Sequence, residues 1–141
     1  MKALLFHAEE YGVNFHSLSN RPKGIFHEKV DGKEKQFCKD CVVAFVTVEK
    51  GDNFDRTSTG VAKEIKKMCD EVRHDSAVIV PFAHLSNKLC EPKRGFEILE
   101  EIEKKLKKMK VDVLRTHFGS NKSLHLDIYG HAGNARYREF Y

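Results

Sequence analysis

Val42-Val43-Ala44-Phe45-Val46-Thr47-Val48 is an unbroken run of apolar and β-branched residues. It does not alternate with polar positions, so both of its faces are expected to be buried, as in a central strand of a sheet. Downstream, Gly51 to Thr59 is polar and holds Asp52, Asn53, Asp55, Ser58 and two threonines, residue types that satisfy free N–H groups at a helix start. Val61, Ile65, Met68 and Val72 then recur at helical spacing, with lysines and acids between them, which predicts an amphipathic helix. Ala77 to Val80 reads as a second buried strand, stopped by Pro81. A second helix is expected from Pro92 to Met109, with Phe96, Leu99, Ile102, Leu106 and Met109 on one face and Pro92 in the first turn. Its glutamates come early and its lysines late, which complements the helix dipole, and Glu100–Lys104 and Glu101–Lys105 are spaced as i,i+4 pairs. The lysine run is therefore read as a solvated helix end rather than an RNA-binding patch.

Outward from this core, Lys2 to His7 is a short apolar run expected to form the first strand, with Val13 to His16 hairpinned to it. Ile25 to Val30 is a candidate short strand between Gly24 and Gly32. Val111 to Thr116 and Ser123 to Ile128 read as closing strands around a loop, Phe118 to Lys122. The order of elements predicts an α/β fold in a single domain, residues 1–141, with a mixed β-sheet and two main helices. Hydrophobic residues make up 40% and charged residues 33% of the 141 positions, ordinary for a globular protein. The longest apolar stretches, Cys41 to Val48 and Ala77 to Ala83, are too short to span a bilayer, and the start lacks signal-peptide features; a cytoplasmic protein is expected.

The net charge of +4 suits an RNA partner without requiring one. No G-x-S-x-G, P-loop or G-x-G-x-x-G is present. The four cysteines, Cys38, Cys41, Cys69 and Cys90, are expected to be free thiols. Cys38 and Cys41 have metal-ligand spacing, but a structural zinc needs two further donors from Cys69, Cys90 or a histidine, and no second C-x-x-C exists.

Two loops hold residues suited to chemistry. Val80-Pro81-Phe82-Ala83-His84-Leu85-Ser86 follows a strand, where ligands of open α/β sheets tend to sit. Pro81 fixes the backbone, Ala83 leaves room for close approach, and His84 brings an imidazole to the strand end. A histidine that merely caps a backbone group fits this spacing equally well. In Phe118-Gly119-Ser120-Asn121-Lys122, a lysine leaving a Gly-Ser-Asn turn is by itself more often exposed than catalytic.

Together these segments resemble the N-terminal editing domain of archaeal threonyl-tRNA synthetases. The resemblance rests on Lys2 to His7, Ala44 to Lys50, Val80 to Ser86, the Phe118-Gly119 turn with Lys122, and Gly130-His131, spread over nearly the whole chain in the family's order. It implies the D-aminoacyl-tRNA deacylase-like fold, usually a homodimer, and hydrolysis of serine from mischarged threonine tRNA. By resemblance, His84 and Lys122 are the catalytic residues, and Val48, Pro81, Phe82, Ala83, Phe118, Gly119 and Asn121 bind the substrate. The implied mechanism is RNA-assisted: a ribose hydroxyl of the terminal adenosine helps to place the attacking water. Editing itself needs no cofactor or metal; ATP and zinc belong to the synthetase catalytic domain, which lies outside this chain. The expected setting is the N-terminal part of a longer threonyl-tRNA synthetase.

The chain departs from the family pattern at Asn121, where a tyrosine is usual, and at Ala132 and Ala135, in place of proline and glutamate. Near the start, Ala8-Glu9 stands for Ser-Asp. Two alternatives stay open: a freestanding D-aminoacyl-tRNA deacylase, although its Gly-Pro motif is missing, and a tRNA-binding accessory module without catalysis.

Overall fold

The computed structural model describes all 141 residues and has six strands and two helices. In chain order these are β1 (Lys2–Leu18), β2 (Lys35–Thr47), α1 (Phe54–Val72), β3 (Ser76–Pro81), α2 (Pro92–Lys108), β4 (Asp112–Arg115), β5 (Ser120–Ile128) and β6 (Ala135–Glu139). The sheet runs β4-β3-β2-β1-β5, and β6 also pairs with β1. β2, β3 and β4 are mutually parallel and joined through the two helices, whereas β1 pairs antiparallel with β2, β5 and β6. The sheet is therefore mixed, as the order of elements predicts.

Val42 to Val48 is buried throughout and lies at the centre of the sheet. One of its faces, with Val42, Ala44 and Val46, joins Ala3 and Leu5 and the apolar stripes of both helices in a core of 19 buried residues. The other face carries a smaller cluster in which Tyr11, Val13, Val43, Phe45, Val78 and Val80 meet, and no helix contributes to it. The sheet covers that face by curling. Tyr11 Oη lies 2.7 Å from Thr116 Oγ1 beyond β4, although β2 and β3 intervene in the strand order. The Gln36 amide donates to the Arg115 carbonyl at 3.0 Å and its oxygen accepts from the His117 N–H at 2.9 Å, tying β2 to the same edge.

Several elements differ from expectation. Lys2–His7 and Val13–His16 are one 17-residue strand, not a hairpin; Gly12 lies within the strand against Phe37, and the pairing with β5 shifts at Ala8/Glu10. Ile25–Val30 forms no strand. β2 reaches back to Lys35 and so includes the Cys38–Cys41 pair. α1 starts within its polar lead, at Phe54, with Asn53 as its cap accepting from Arg56 N at 2.8 Å. Of the two expected pairs on α2, Glu101–Lys105 forms at 3.7 Å and Glu100–Lys104 does not, while Lys107–Glu103 adds one at 3.1 Å. Lys122 belongs to β5 rather than to the turn before it. β6 has no counterpart in the sequence reading.

Candidate functional site

The open side of the curled sheet is a cleft of about 580 Å³, lined by 25 residues of which 14 are hydrophobic. Tyr11, Val13, Phe45 and Val80 of the smaller apolar cluster form its floor. All nine residues expected at the site line it: Val48, Pro81, Phe82, Ala83 and His84 on one wall, Phe118, Gly119, Asn121 and Lys122 on the other. The sequence separates these walls widely; the parallel order of β2, β3 and β4 and the antiparallel return of β5 bring them together.

The first wall is stapled to β2. Phe82 N donates to the Val46 carbonyl at 3.1 Å, and Thr47 Oγ1 donates to the Phe82 carbonyl at 2.5 Å. The Phe82 ring packs edge-on against Phe45 at 5.1 Å and against the His84 imidazole at 4.9 Å. His84 is exposed, so its ring is free to meet a ligand at the rim.

The second wall is held by the irregular segment before β2. The Glu28 carboxylate accepts from Phe118 N at 2.8 Å and takes a forked bond from the Arg115 guanidinium at 3.1–3.2 Å. Arg115 also donates to Glu103 of α2 at 2.9 Å. Because the Glu28 carbonyl accepts from His117 Nε2 at 2.9 Å, Nδ1 of the neutral ring is left to accept from the Ser120 hydroxyl at 2.7 Å. Gly119 has a φ of +88°, and a Cβ on it would lie 2.4 Å from the Phe26 carbonyl oxygen, so both conformation and closeness call for glycine.

Lys122 is half-buried, and its ammonium donates to the Ser120 carbonyl at 3.0 Å. Burial lowers its pKa from the usual lysine value, partly offset by the charge of Glu28. Asn121 is exposed and donates to Ser17 Oγ at 3.1 Å. The cleft thus offers apolar walls, one partly desolvated ammonium, one exposed imidazole and an amide. This set can seat a small organic group and stabilise negative charge developing beside it. Arg21 also lines the cleft and was missed by the sequence reading; it lies in a Gly- and Pro-punctuated stretch with no periodic signal to aim it.

The other motif residues gather elsewhere. His7 of β1 is buried and meets His131 Nε2 through its Nδ1 at 2.7 Å and His74 Nδ1 through its Nε2 at 2.9 Å. His131 Nδ1 is 2.8 Å from the Ala132 carbonyl, which only accepts, so the neutral cluster has one proton order: His74 donates to His7, His7 to His131, and His131 to the backbone. Burial, and next the two flanking imidazoles, lower the pKa of His7. Ala8 is buried in the smaller apolar cluster, Ala132 follows His131, and Ala135 lies opposite Phe6 in β6. None of the three lines the cleft, so of the departures from the family pattern only Asn121 does. The four cysteines are free, and no group of three or more His, Cys, Asp or Glu side chains is arranged to hold a metal ion. No helix is long and apolar enough to cross a membrane.

Comparison with known proteins places this architecture. The family model for the archaea-specific editing domain of threonyl-tRNA synthetase matches residues 1–140. The chain is 34% identical over 135 residues to a threonine–tRNA ligase of Thermococcus onnurineus, covering 93% of this chain and 21% of that protein. It is 36% identical over 132 residues to a threonine–tRNA ligase editing subunit of Saccharolobus solfataricus, covering 93% of this chain and 32% of that protein. The chain therefore spans between about a fifth and a third of the length of these relatives. Among solved structures, a c-Myc DNA unwinding element binding protein superposes with a TM-score of 0.62 over 99% of this chain and 98% of that one. At 12% identity that likeness speaks for the fold alone, which is D-aminoacyl-tRNA deacylase-like.

Proposed function

The chain belongs to the archaea-specific editing-domain family of threonyl-tRNA synthetase, and from that premise we propose that it hydrolyses the ester of serine wrongly attached to threonine tRNA. The observation that carries this reading is the convergence of His84 and Lys122, on separate walls, over one mainly apolar cleft.

A synthetic site built for threonine also admits serine, which lacks only a methyl group. That difference is worth roughly 1–3 kcal/mol, so a second, hydrolytic site is needed for fidelity. In the cleft, Val48, Pro81, Phe82 and Ala83 enclose the aminoacyl group, while His84 at the rim holds the terminal ribose. Water adds to the ester carbonyl, with a ribose hydroxyl helping to place it. The Lys122 ammonium offsets the charge that grows on the carbonyl oxygen, an interaction strengthened by partial desolvation. Collapse of the adduct releases serine and leaves the ribose hydroxyl free on the tRNA. Asn121 stands within the cleft to bond the substrate amine. The ester is already activated, so positioning and electrostatics supply the rate. The protein acts on the 3′ end of threonine tRNA in the cytoplasm as a homodimer, joined to a synthetase body or as a separate subunit. Homologues of both kinds, ligase and editing subunit, support either arrangement.

The test is a crystal structure with the non-hydrolysable serine amide of 3′-amino-3′-deoxyadenosine. The seryl group is expected between Phe82 and Lys122 with the ribose against His84. Binding elsewhere, or none at millimolar concentration, contradicts the proposal and favours the non-catalytic module.

A further inference from the structure

The wall that carries His84 has a second side. Residues 84–90 return antiparallel to the end of β2: Cys90 N donates to the Val48 carbonyl at 3.3 Å, Lys50 N donates to the Lys88 carbonyl at 2.8 Å, and Glu49 bridges to Leu89. His84, Leu89 and Cys90 face the cleft. Ser86, Asn87 and Lys88 face a separate cavity of about 430 Å³, completed by Lys2, Glu49, Lys50 and Tyr141. One short loop is thus the partition between an apolar cleft and a polar, lysine-lined hollow.

The charges in that hollow are arranged for an anion. The carboxylate of Glu49, its only acidic lining residue, is already engaged by the Met1 ammonium at 3.0 Å and the Ser86 hydroxyl at 2.6 Å. Lys2 reaches Glu49 only at 3.9 Å, and Lys50 and Lys88 have no acid at ion-pair distance. The backbone bond between Lys50 and Lys88 sets these two lining residues opposite each other, and neither has an ion-pair partner. The Tyr141 ring, 72% exposed, adds an aromatic surface at its edge.

We propose that this hollow is a phosphodiester subsite that holds the RNA backbone immediately upstream of the terminal adenosine. The inference rests on the editing reading of the neighbouring cleft. A nucleoside seated against His84 has its 5′ side free to cross the partition, where Lys50 and Lys88 meet the phosphate and Tyr141 offers a face for the preceding base. Seating the strand on both sides of one short loop sets how deep the aminoacyl end reaches toward Lys122.

The experiment compares the unmutated protein with a Lys50→Gln/Lys88→Gln double variant. Binding of uncharged threonine tRNA is titrated over a range of salt concentrations, and hydrolysis of the seryl ester of adenosine, which has no phosphate, is measured in parallel. The double variant is expected to bind tRNA about tenfold more weakly, with a salt slope smaller by about 0.7, the loss of one neutralised phosphate on a single strand. Its hydrolysis of the adenosine ester is expected to be unchanged. Equal tRNA affinity and slope in the two proteins, no tRNA binding by either, or an equal loss of ester hydrolysis would overturn the subsite. If the unmutated protein failed to hydrolyse the adenosine ester, the editing reading would fall, and the tRNA titration would still decide the subsite on its own.

Discussion

At the scale of single residues, Lys122 is the group proposed to carry the chemistry, and its environment sets the sign of the expected pH response. Burial lowers its pKa, so the ammonium form persists only up to a pH below the usual lysine range. If the cation stabilises the developing oxyanion, enzymatic hydrolysis, corrected for the spontaneous rate, falls as pH rises through that lowered value. A rate that rises there instead indicates a neutral amine acting as base. Lys122→Met is expected to lower kcat by about 10²–10³-fold, the usual loss on removing one such group. Its folding is expected to be little affected, because the side chain forms no ion pair and only one bond, to a backbone carbonyl; thermal denaturation of the variant checks this. The opposite holds at Gly119, where an alanine combines a positive φ with a clash against the Phe26 carbonyl. Gly119→Ala is expected to cost about 1–3 kcal/mol in a urea titration. Lys122 and His84 were legible because they sit in recognisable motifs. Arg21 was not, since nothing in Ser19-Asn20-Arg21-Pro22 states which way a loop side chain turns.

At the scale of elements, the central strand and both helices were legible because their patterns follow from burial: continuous apolar residues in Val42–Val48, and apolar stripes of period near 3.6 in α1 and α2. The ends of the chain were not. Val13–His16 was expected to hairpin onto Lys2–His7, yet the strand is uninterrupted and Gly12 lies within it against Phe37. β6 carries Arg136, Arg138 and Glu139 in five residues and is defined only by its pairing with Lys2–Phe6, a partnership invisible in local sequence. Ile25–Val30 looked like a strand because it is partly apolar, but its order comes from side chains, chiefly Glu28. That residue and Arg115 are 9% and 8% exposed, and with Glu103 they latch the segment to β4 and α2. Arg115→Met removes the guanidinium that Glu28 and Glu103 share, leaving Glu103 with Lys107 at 3.1 Å and Glu28 with the Phe118 N–H and a long contact to Lys33, and is expected to cost about 3 kcal/mol, read from the denaturation midpoint. The same variant is expected to loosen the Phe118–Ser120 turn, visible as faster amide exchange there.

At the scale of the whole molecule, one face of the sheet is spent on stability and the other on the site. Both helices cover the first, and the curl of the sheet leaves the second open as the cleft. Stability should also respond to pH globally. His7 and His117 both have lowered pKa values, primarily through burial. Between the unfolded value near 6.5 and each lowered value, the unfolded chain binds more protons, so stability is full above about pH 6.5 and declines as pH falls. Thermal midpoints measured from pH 7.5 to 5 should therefore fall, and a His7→Asn variant should show a shallower decline; a flat profile in the unmutated protein would contradict the buried neutral assignments. The departures from the family pattern sort by place: Asn121 lines the cleft, and Ala8, Glu9, Ala132 and Ala135 do not. Editing activity is therefore expected to survive them. The decisive measurement is deacylation of threonine tRNA charged with serine or with threonine by the purified protein, with Lys122→Met in parallel. Rapid loss of serine alone, slowed at least about a hundredfold by the substitution, is the expected result; no hydrolysis of seryl-tRNA, or a rate indifferent to Lys122→Met, would contradict the account.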